Sequence, residues 1–267
     1  MRHEIVGMLA ETFVHPGTGQ NVGAIDLPVA REAATDYPFV AGSSLKGAMR
    51  QAFEDKEGKD AAKAIFGEQD NAGNVLVSDA RLLLLPVRSL SSAYKWVTCP
   101  HLLERLKRDL KRSGGEATFE PVTIEPKTAR GEGSGRLFLE ERSFELAGKP
   151  GGDVVGALTT LIPDEGARGR LSGQLVIIHD DDFAWFARYG LAVQARNALD
   201  SKTKTTKPGA LWYEETLPPD TLMYAVLAER GGKGALEGVR KIGDYLQVGG
   251  NETVGQGWFS LHWETGR

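Results

Sequence analysis

The sequence predicts an α+β fold with insertions. Three observations carry this. Strand-like and helix-like hydrophobic patterns alternate at both ends of the chain. The stretch from 113 to 152 is rich in Gly, Glu, Arg and Lys and shows little periodicity. The 33 glycines among 267 residues call for many tight turns or loops of close backbone approach. Hydrophobic content of 41% and charged content of 25% are ordinary for a globular domain, and the chain is long enough for a proper core.

Taken in order, Glu4 to Val14 alternates weakly and reads as a strand. His15 to Gly23 reads as a long turn. Ala24 to Tyr37, broken by Pro28 and closed by Pro38, reads as an extended loop. A first helix runs from Ser44 to about Lys56, with Ser43 or Ser44 as N-cap. Leu45, Ala48, Met49, Ala52 and Phe53 form its apolar stripe. Lys59 to Phe66 is a second helix, stopped by Gly67. Val75 to Val87 is a strong strand signal, and Pro100 to Arg112 a third helix. Residues 113 to 152 read as an inserted, partly mobile segment. Leu171 to Ile178 is a strand, and Asp180-Asp181-Asp182 starts a helix that carries Phe183 and Phe186. Residues 196 to 224 form an extended arm around a Lys/Thr/Pro/Gly tip. Met223 to Ala228 is a strand, Leu236 to Leu246 a helix, Gly249 to Gly257 a glycine loop, and Trp258 to Trp263 a final strand.

The composition excludes several classes. No run of about 18 apolar residues exists, so no membrane-spanning helix is expected. The N-terminal residues show no signal-peptide pattern, and Cys99 is the only cysteine, so neither a disulfide framework nor a cysteine-cluster zinc site is available. Both observations point to the cytoplasm. A net charge of −4 counts against a nucleic-acid binder judged by bulk charge, but local clusters decide where a backbone can lie. Arg105, Lys107, Arg108, Lys111 and Arg112 crowd one helix. Lys127, Arg130 and Arg136 sit in the insertion, and Lys202, Lys204 and Lys207 near the arm's tip. Taken singly, each reads as a solvated face.

The first helix is the sharpest candidate site. Lys46 and Arg50 stand one turn apart near the positive end of the helix dipole, a locally unfavourable placement. Free N–H groups, Ser43, Ser44, Lys46 and Arg50 together suit an anion, phosphate above all. The glycine loop, with Gly249, Gly250, Asn251, Gly255 and Gly257, suits phosphate or sugar contact, or a plain tight connection. Asp26 lies on an irregular segment before Pro28. It could bind Mg²⁺ or handle a 2′-hydroxyl proton; the plainer role is an Asx-turn or a partner for Arg31. Gly17, Gly19 and Gly23 lack dinucleotide-fingerprint spacing, and Lys46 is no Walker lysine. His179 to Asp182 reads as a helix start in preference to a metal cluster. His15, His101 and His262 have no ligand spacing, so no ordinary hydrolase site is visible.

Gly42-Ser43-Ser44-Leu45-Lys46-Gly47-Ala48-Met49-Arg50, together with the glycine loop, resembles the RAMP superfamily of CRISPR proteins. Gly17 to Gln20 through Gly23 to Pro28, Asp180 to Phe186 and Gly209 to Pro219 look like the repeated backbone subunit of type III-B (Cmr) effector complexes. The likeness covers most of the chain, least so residues 113 to 170. It implies a modified RRM (ferredoxin-like) palm over about 1–112, 171–195 and 222–267, an insertion over 113–170, and a projecting thumb hairpin over 196–221. It implies a guide-RNA contact at the helix of Ser43, Ser44, Lys46 and Arg50 and at the glycine loop, and a thumb contact with target RNA through Lys202, Lys204, Lys207 and Trp212. The expected activity is regularly spaced, Mg²⁺- or Mn²⁺-dependent cleavage of target RNA at Asp26, with His15 and Glu215 nearby. The expected partners are CRISPR guide RNA, complementary target RNA, further copies in a helical filament, a large polymerase/cyclase-like subunit, a small helical subunit and other RAMP subunits. The alternatives are a non-catalytic guide-binding module and a guide-processing endoribonuclease, which usually leans on a histidine.

Overall fold

The computed structural model describes residues 1–20, 23–115, 119–231 and 234–264. The chain opens with β1 (His3–Ala10), and β2 (Phe39–Val40) leads into α1 (Gly42–Glu57) and α2 (Lys59–Phe66). A small hairpin, β3 (Gly67–Glu68) with β4 (Asn71–Ala72), is followed by β5 (Val75–Val77), β6 (Ala80–Arg88), β7 (Tyr94–Thr98) and α3 (Pro100–Arg112). Next come β8 (Thr128–Arg130), β9 (Arg136–Leu139), β10 (Arg142–Leu146), α4 (Gly152–Thr159), α5 (Glu165–Gln174), β11 (Leu175–Ile178) and α6 (Asp180–Tyr189). The last part holds β12 (Ala192–Leu199), β13 (Thr206–Thr216), β14 (Leu222–Glu229), α7 (Ala235–Val239), β15 (Tyr245–Gln247) and β16 (Trp258–Glu264).

A single large sheet runs β15-β16-β1-β14-β6-β7-β11-β8-β10-β9, with β2 added to β6 and β5 to β14. Most pairs are antiparallel; β7–β11 and β8–β10 are parallel. Helices cover both faces. Val6, Met8 and Ala10 of β1 point to a core shared with Leu45, Met49 and Phe53 of α1, Phe66 of α2, Phe183 and Phe186 of α6, and Leu236 of α7. Ile5 and Leu9 point the other way, to Trp96, Leu103 and Leu106 of α3, Leu158 of α4 and Leu171 of α5. A central strand buried on both faces has no polar side to alternate with, which is why the pattern in β1 is weak. Gly7 is required there: a Cβ would sit 1.8 Å from the Leu161 carbonyl oxygen.

The α+β expectation holds, with local differences. β1 ends at Ala10, and residues 13–17 return toward the glycine loop, where Gly257 N–H donates to the Phe13 carbonyl. Val75 to Val87 is two strands, β5 on β14 and β6 between β14 and β7. β7 was not expected. The described part of 113–152 holds β8, β9 and β10, joined to the main sheet through β11, so the insertion is structured there. Its signal is hidden because these strands are three to five residues long. The helix expected over Leu236 to Leu246 stops early. Gly243 at φ 92° cannot continue it, and Tyr245 already pairs with Ser260. Asn21 and Val22 of the first turn lie outside the described residues.

The acids at the start of α6 serve structure. Asp180 accepts from the His101 N–H at 2.9 Å, and Asp182 pairs with Arg142 at 3.2 Å. Much of the basic face of α3 is likewise neutralised. Arg105 forks onto Glu32 at 2.7 and 2.8 Å, Arg108 meets Glu104 and Arg112 meets Asp109.

Candidate nucleic-acid interface

β12 and β13 form a two-stranded ribbon apart from the main sheet. It starts at Ala192 and is paired through Ala192↔Thr216 to Leu199↔Thr206. Its turn, with Lys202 and Lys204, is exposed, as is Lys207. Val193, Leu199, Leu211 and Tyr213 leave an apolar outer face, each more than 40% exposed. Trp212 lies on the opposite face, half-buried and directly across from Arg196.

The segment carrying Asp26 is stitched to the foot of this ribbon. Leu27 N–H donates to the Tyr213 carbonyl and Glu215 N–H to the Leu27 carbonyl, both at 3.0 Å. The Tyr213 N–H donates to Asp26 Oδ2 at 2.7 Å. Asp26 is thus held by a backbone donor in place of Arg31, which pairs instead with Glu215 at 2.7 Å. The second carboxylate oxygen of Asp26 has no partner among the described residues.

Two adjacent glutamates fix the foot from opposite sides, because successive residues of a strand face opposite ways. Glu215, buried, accepts from Arg31 and from the Val29 N–H at 3.1 Å. Glu214, also buried, pairs with Arg196 at 3.4 Å and accepts from the Asn251 amide, which ties the glycine loop to the ribbon. Buried carboxylates are tolerable only with such partners.

His15 sits between these parts. Its Nδ1 lies 2.8 Å from the Glu215 carbonyl oxygen and 3.7 Å from Glu214 Oε1. A carbonyl can only accept, so Nδ1 carries a proton and Nε2 is the acceptor of the neutral ring. Nε2 faces Gly17, whose Cβ, if present, would lie 2.5 Å away. The His15 carbonyl accepts from the Gly250 N–H at 2.9 Å, and a Cβ on Gly249 would lie 2.7 Å from that oxygen. Gly249 also has φ 97°. The glycine loop therefore presses backbone against backbone at His15.

A cleft of about 360 Å³ opens beside it, lined by Pro16, Gly17, Ser44, Ala48, Gly249 and Gly250 among others. The structure thus brings the N-terminus of α1 and the glycine loop to one cleft. It does not bring Lys46 and Arg50 there. At 100° per residue they lie roughly 200–240° around the helix from Ser44. Arg50 donates to the Gly67 carbonyl at 2.9 Å, and Lys46 is half-buried. The N-cap also differs: Ala41 holds that position without a side-chain bond, and Ser43 and Ser44 are exposed in the first turn. Gly42 N–H, the first of the helix, is satisfied by Asp79 at 2.6 Å. Gly255 and Gly257 shape the far side of the loop, the first at φ 79° and the second against the Val248 carbonyl.

No group of three or more His, Cys, Asp or Glu able to hold a metal occurs among the described residues. Asp26, with one oxygen already engaged, does not make a metal site from protein atoms alone.

Comparison with known proteins decides the family. The RAMP superfamily model matches residues 8–260. The chain belongs to the RAMP superfamily. Within that superfamily it is 34% identical to the CRISPR system Cmr endoribonuclease Cmr4 of Pyrococcus furiosus, over 98% of this chain and 95% of the relative. It is 25% identical to the CRISPR system CMR subunit Cmr4 of Saccharolobus solfataricus, over 95% and 94%. A crystal structure of oligomeric Cmr4 from Pyrococcus furiosus superposes with a TM-score of 0.79 at 28% identity, covering 99% of this chain and 98% of that one. A cryo-EM structure of the type III-B Cmr-β complex bound to cognate target RNA shares the fold, with a TM-score of 0.79 at 22% identity and coverage of 98% and 97%. No described helix of this RAMP chain is long and apolar enough to cross a membrane.

Glu214 and Arg31 are the residues that sequence reasoning undervalued. The Glu-Glu pair on the arm's return strand was a usable signal, since a ribbon must turn one of two adjacent acids to each face.

Proposed function

We propose that this chain is the repeated backbone subunit of a type III-B RNA-guided effector complex. On this reading it lies along a guide RNA with further copies of itself and cuts complementary RNA beside Asp26. The observation that carries this is one run of contacts: His15 links the cleft of Ser44, Gly249 and Gly250 to the ribbon foot at Glu215, and the same ribbon holds the loop of Asp26 through the Tyr213 N–H. The endoribonuclease name of the 34% identical relative supports it. The cleft takes guide phosphates on backbone N–H groups. The ribbon acts as the thumb, with Lys202, Lys204 and Lys207 toward the target strand and its apolar face against unstacked bases.

A nucleotide splayed at the ribbon foot sets its 2′-hydroxyl in line with the next phosphorus. Positioning then supplies much of the rate. The 2′-oxygen bonds to phosphorus, the bond to the 5′-oxygen breaks, and the 2′-hydroxyl proton passes to the free oxygen of Asp26. The products are a cyclic 2′,3′-phosphate end and a 5′-hydroxyl end that gains a proton from water. Because the described residues hold no cluster of three or more metal-ligating side chains, we propose that Mg²⁺ or Mn²⁺ arrives with the RNA, where it neutralises phosphate charge.

The test is Asp26→Ala in the assembled complex. The expected outcome is a loss of cutting of at least 100-fold, roughly the size of a lost acid–base group, with guide and target binding unchanged. A variant that cuts as fast as the parent removes Asp26 from the reaction. Cutting of CRISPR repeat RNA by the isolated chain would support the guide-processing reading instead.

A further inference from the structure

Arg31 occupies an unusual position. Its guanidinium is largely buried, with the side chain 16% exposed. Nη1 donates to the carbonyls of Asp36 at 2.8 Å and Ala187 at 2.7 Å. Nη2 donates to Glu215 Oε1 at 2.7 Å and reaches the Arg188 carbonyl at 3.5 Å. One side chain therefore ties the C-terminal end of α6 to the 26–38 segment and to the ribbon foot. Cations are favoured at helix C-termini, so the α6 carbonyls add to its hold. Glu215 completes the tie through its other oxygen, which accepts from the Val29 N–H at 3.1 Å.

The consequence falls on Asp26. Between Leu27 and Arg31, the segment is fixed to β13 by two backbone bonds and to Glu215 by two more. Among the described residues, Asp26 itself is fixed only by the Tyr213 N–H. We propose that Arg31 and Glu215 form a positioning pair that sets the Asp26 carboxylate against the ribbon foot, and that Glu215 acts through Arg31 and Val29 and not on RNA. This rests on the proposed role of Asp26. Both carboxylate oxygens of Glu215 are engaged inside the protein and its side chain is only 4% exposed, so a 2′-hydroxyl has no open approach to it. A displacement of about 1 Å at a reacting group can cost 100-fold in rate, so a loosened segment is enough to stop cutting.

The test uses full-length chain assembled with its guide RNA, single-turnover cleavage of complementary RNA, and binding of that RNA measured separately. Arg31→Ala is expected to cut 10- to 100-fold more slowly with RNA affinity within threefold of the parent. Glu215→Gln, which preserves shape, is expected to lose about tenfold. Arg31→Lys keeps the charge but not the fork, and is expected to recover part of the loss. If Asp26→Ala abolishes cutting while Arg31→Ala and Glu215→Gln cut at the parent rate, the positioning pair is wrong and the proposed function stands. If binding falls as far as cutting in all three, Arg31 only supports the fold and the inference is overturned. If Asp26→Ala itself cuts normally, the functional reading fails first.

Discussion

Ser44 and Lys46 stand two positions apart on α1, yet they face different sides of the helix. Ser44 lines the cleft, while Lys46 shares the other side of the helix with Arg50, which reaches the Gly67 carbonyl. That Lys46 and Arg50 share one side of α1 was legible in the sequence, and so was a helix starting near Ser43. What could not be read was the side from which the glycine loop arrives, because that depends on β15 and β16 closing the sheet edge. The geometry separates the two contributions. A second guide-phosphate contact at Lys46, outside the cleft, predicts that Lys46→Ala weakens guide RNA binding uniformly across sequences and lowers the salt slope by about one unit. An unchanged slope measured between low and moderate salt would assign Lys46 to the protein surface alone. Arg50→Ala is a poorer probe, since it also frees the Gly67 carbonyl. Asp26 was legible as an odd acid on an irregular loop, but its holder was not, because the Tyr213 N–H belongs to a strand 187 residues away.

At the scale of elements, β1 shows what fixes this fold. It pairs with both β14 and β16, is buried on both faces, and lets the Leu161 carbonyl approach only because residue 7 is glycine. Gly7→Ala is expected to destabilise the protein by about 1–3 kcal/mol, the usual cost of overpacking, with the backbone clash pushing it to the upper end. Chemical denaturation of the two proteins measures this; equal midpoints would show that the strand and Leu161 can separate freely. Helices α1, α2 and α3 were plain in the sequence because their apolar stripes are long and regular. The short strands β7 to β10 were not. Their registers are set by partners distant in sequence, such as β11 beside both β7 and β8, and three to five residues carry too little pattern to declare themselves.

For the whole molecule, the mildly acidic balance of charge and the RNA-facing reading are compatible. Among the described residues, basic side chains of α3 are spent on Glu32, Glu104 and Asp109, while the lysines at the ribbon tip are exposed and unpaired by any acid. His15 links the cleft to the ribbon foot, and the ribbon in turn holds the Asp26 loop. That linkage was legible only through resemblance to the RAMP superfamily, since no spacing in the chain places residues 15, 26, 44, 215 and 250 together. On the proposed function, this arrangement, repeated along a guide, cuts RNA at Asp26. The most direct measurement is to map the ends of a complementary RNA after incubation with the complex and Mg²⁺, using the parent chain and Asp26→Asn side by side. The parent is expected to give a ladder of evenly spaced cuts and the variant none. A ladder of equal intensity from both would contradict the proposed function.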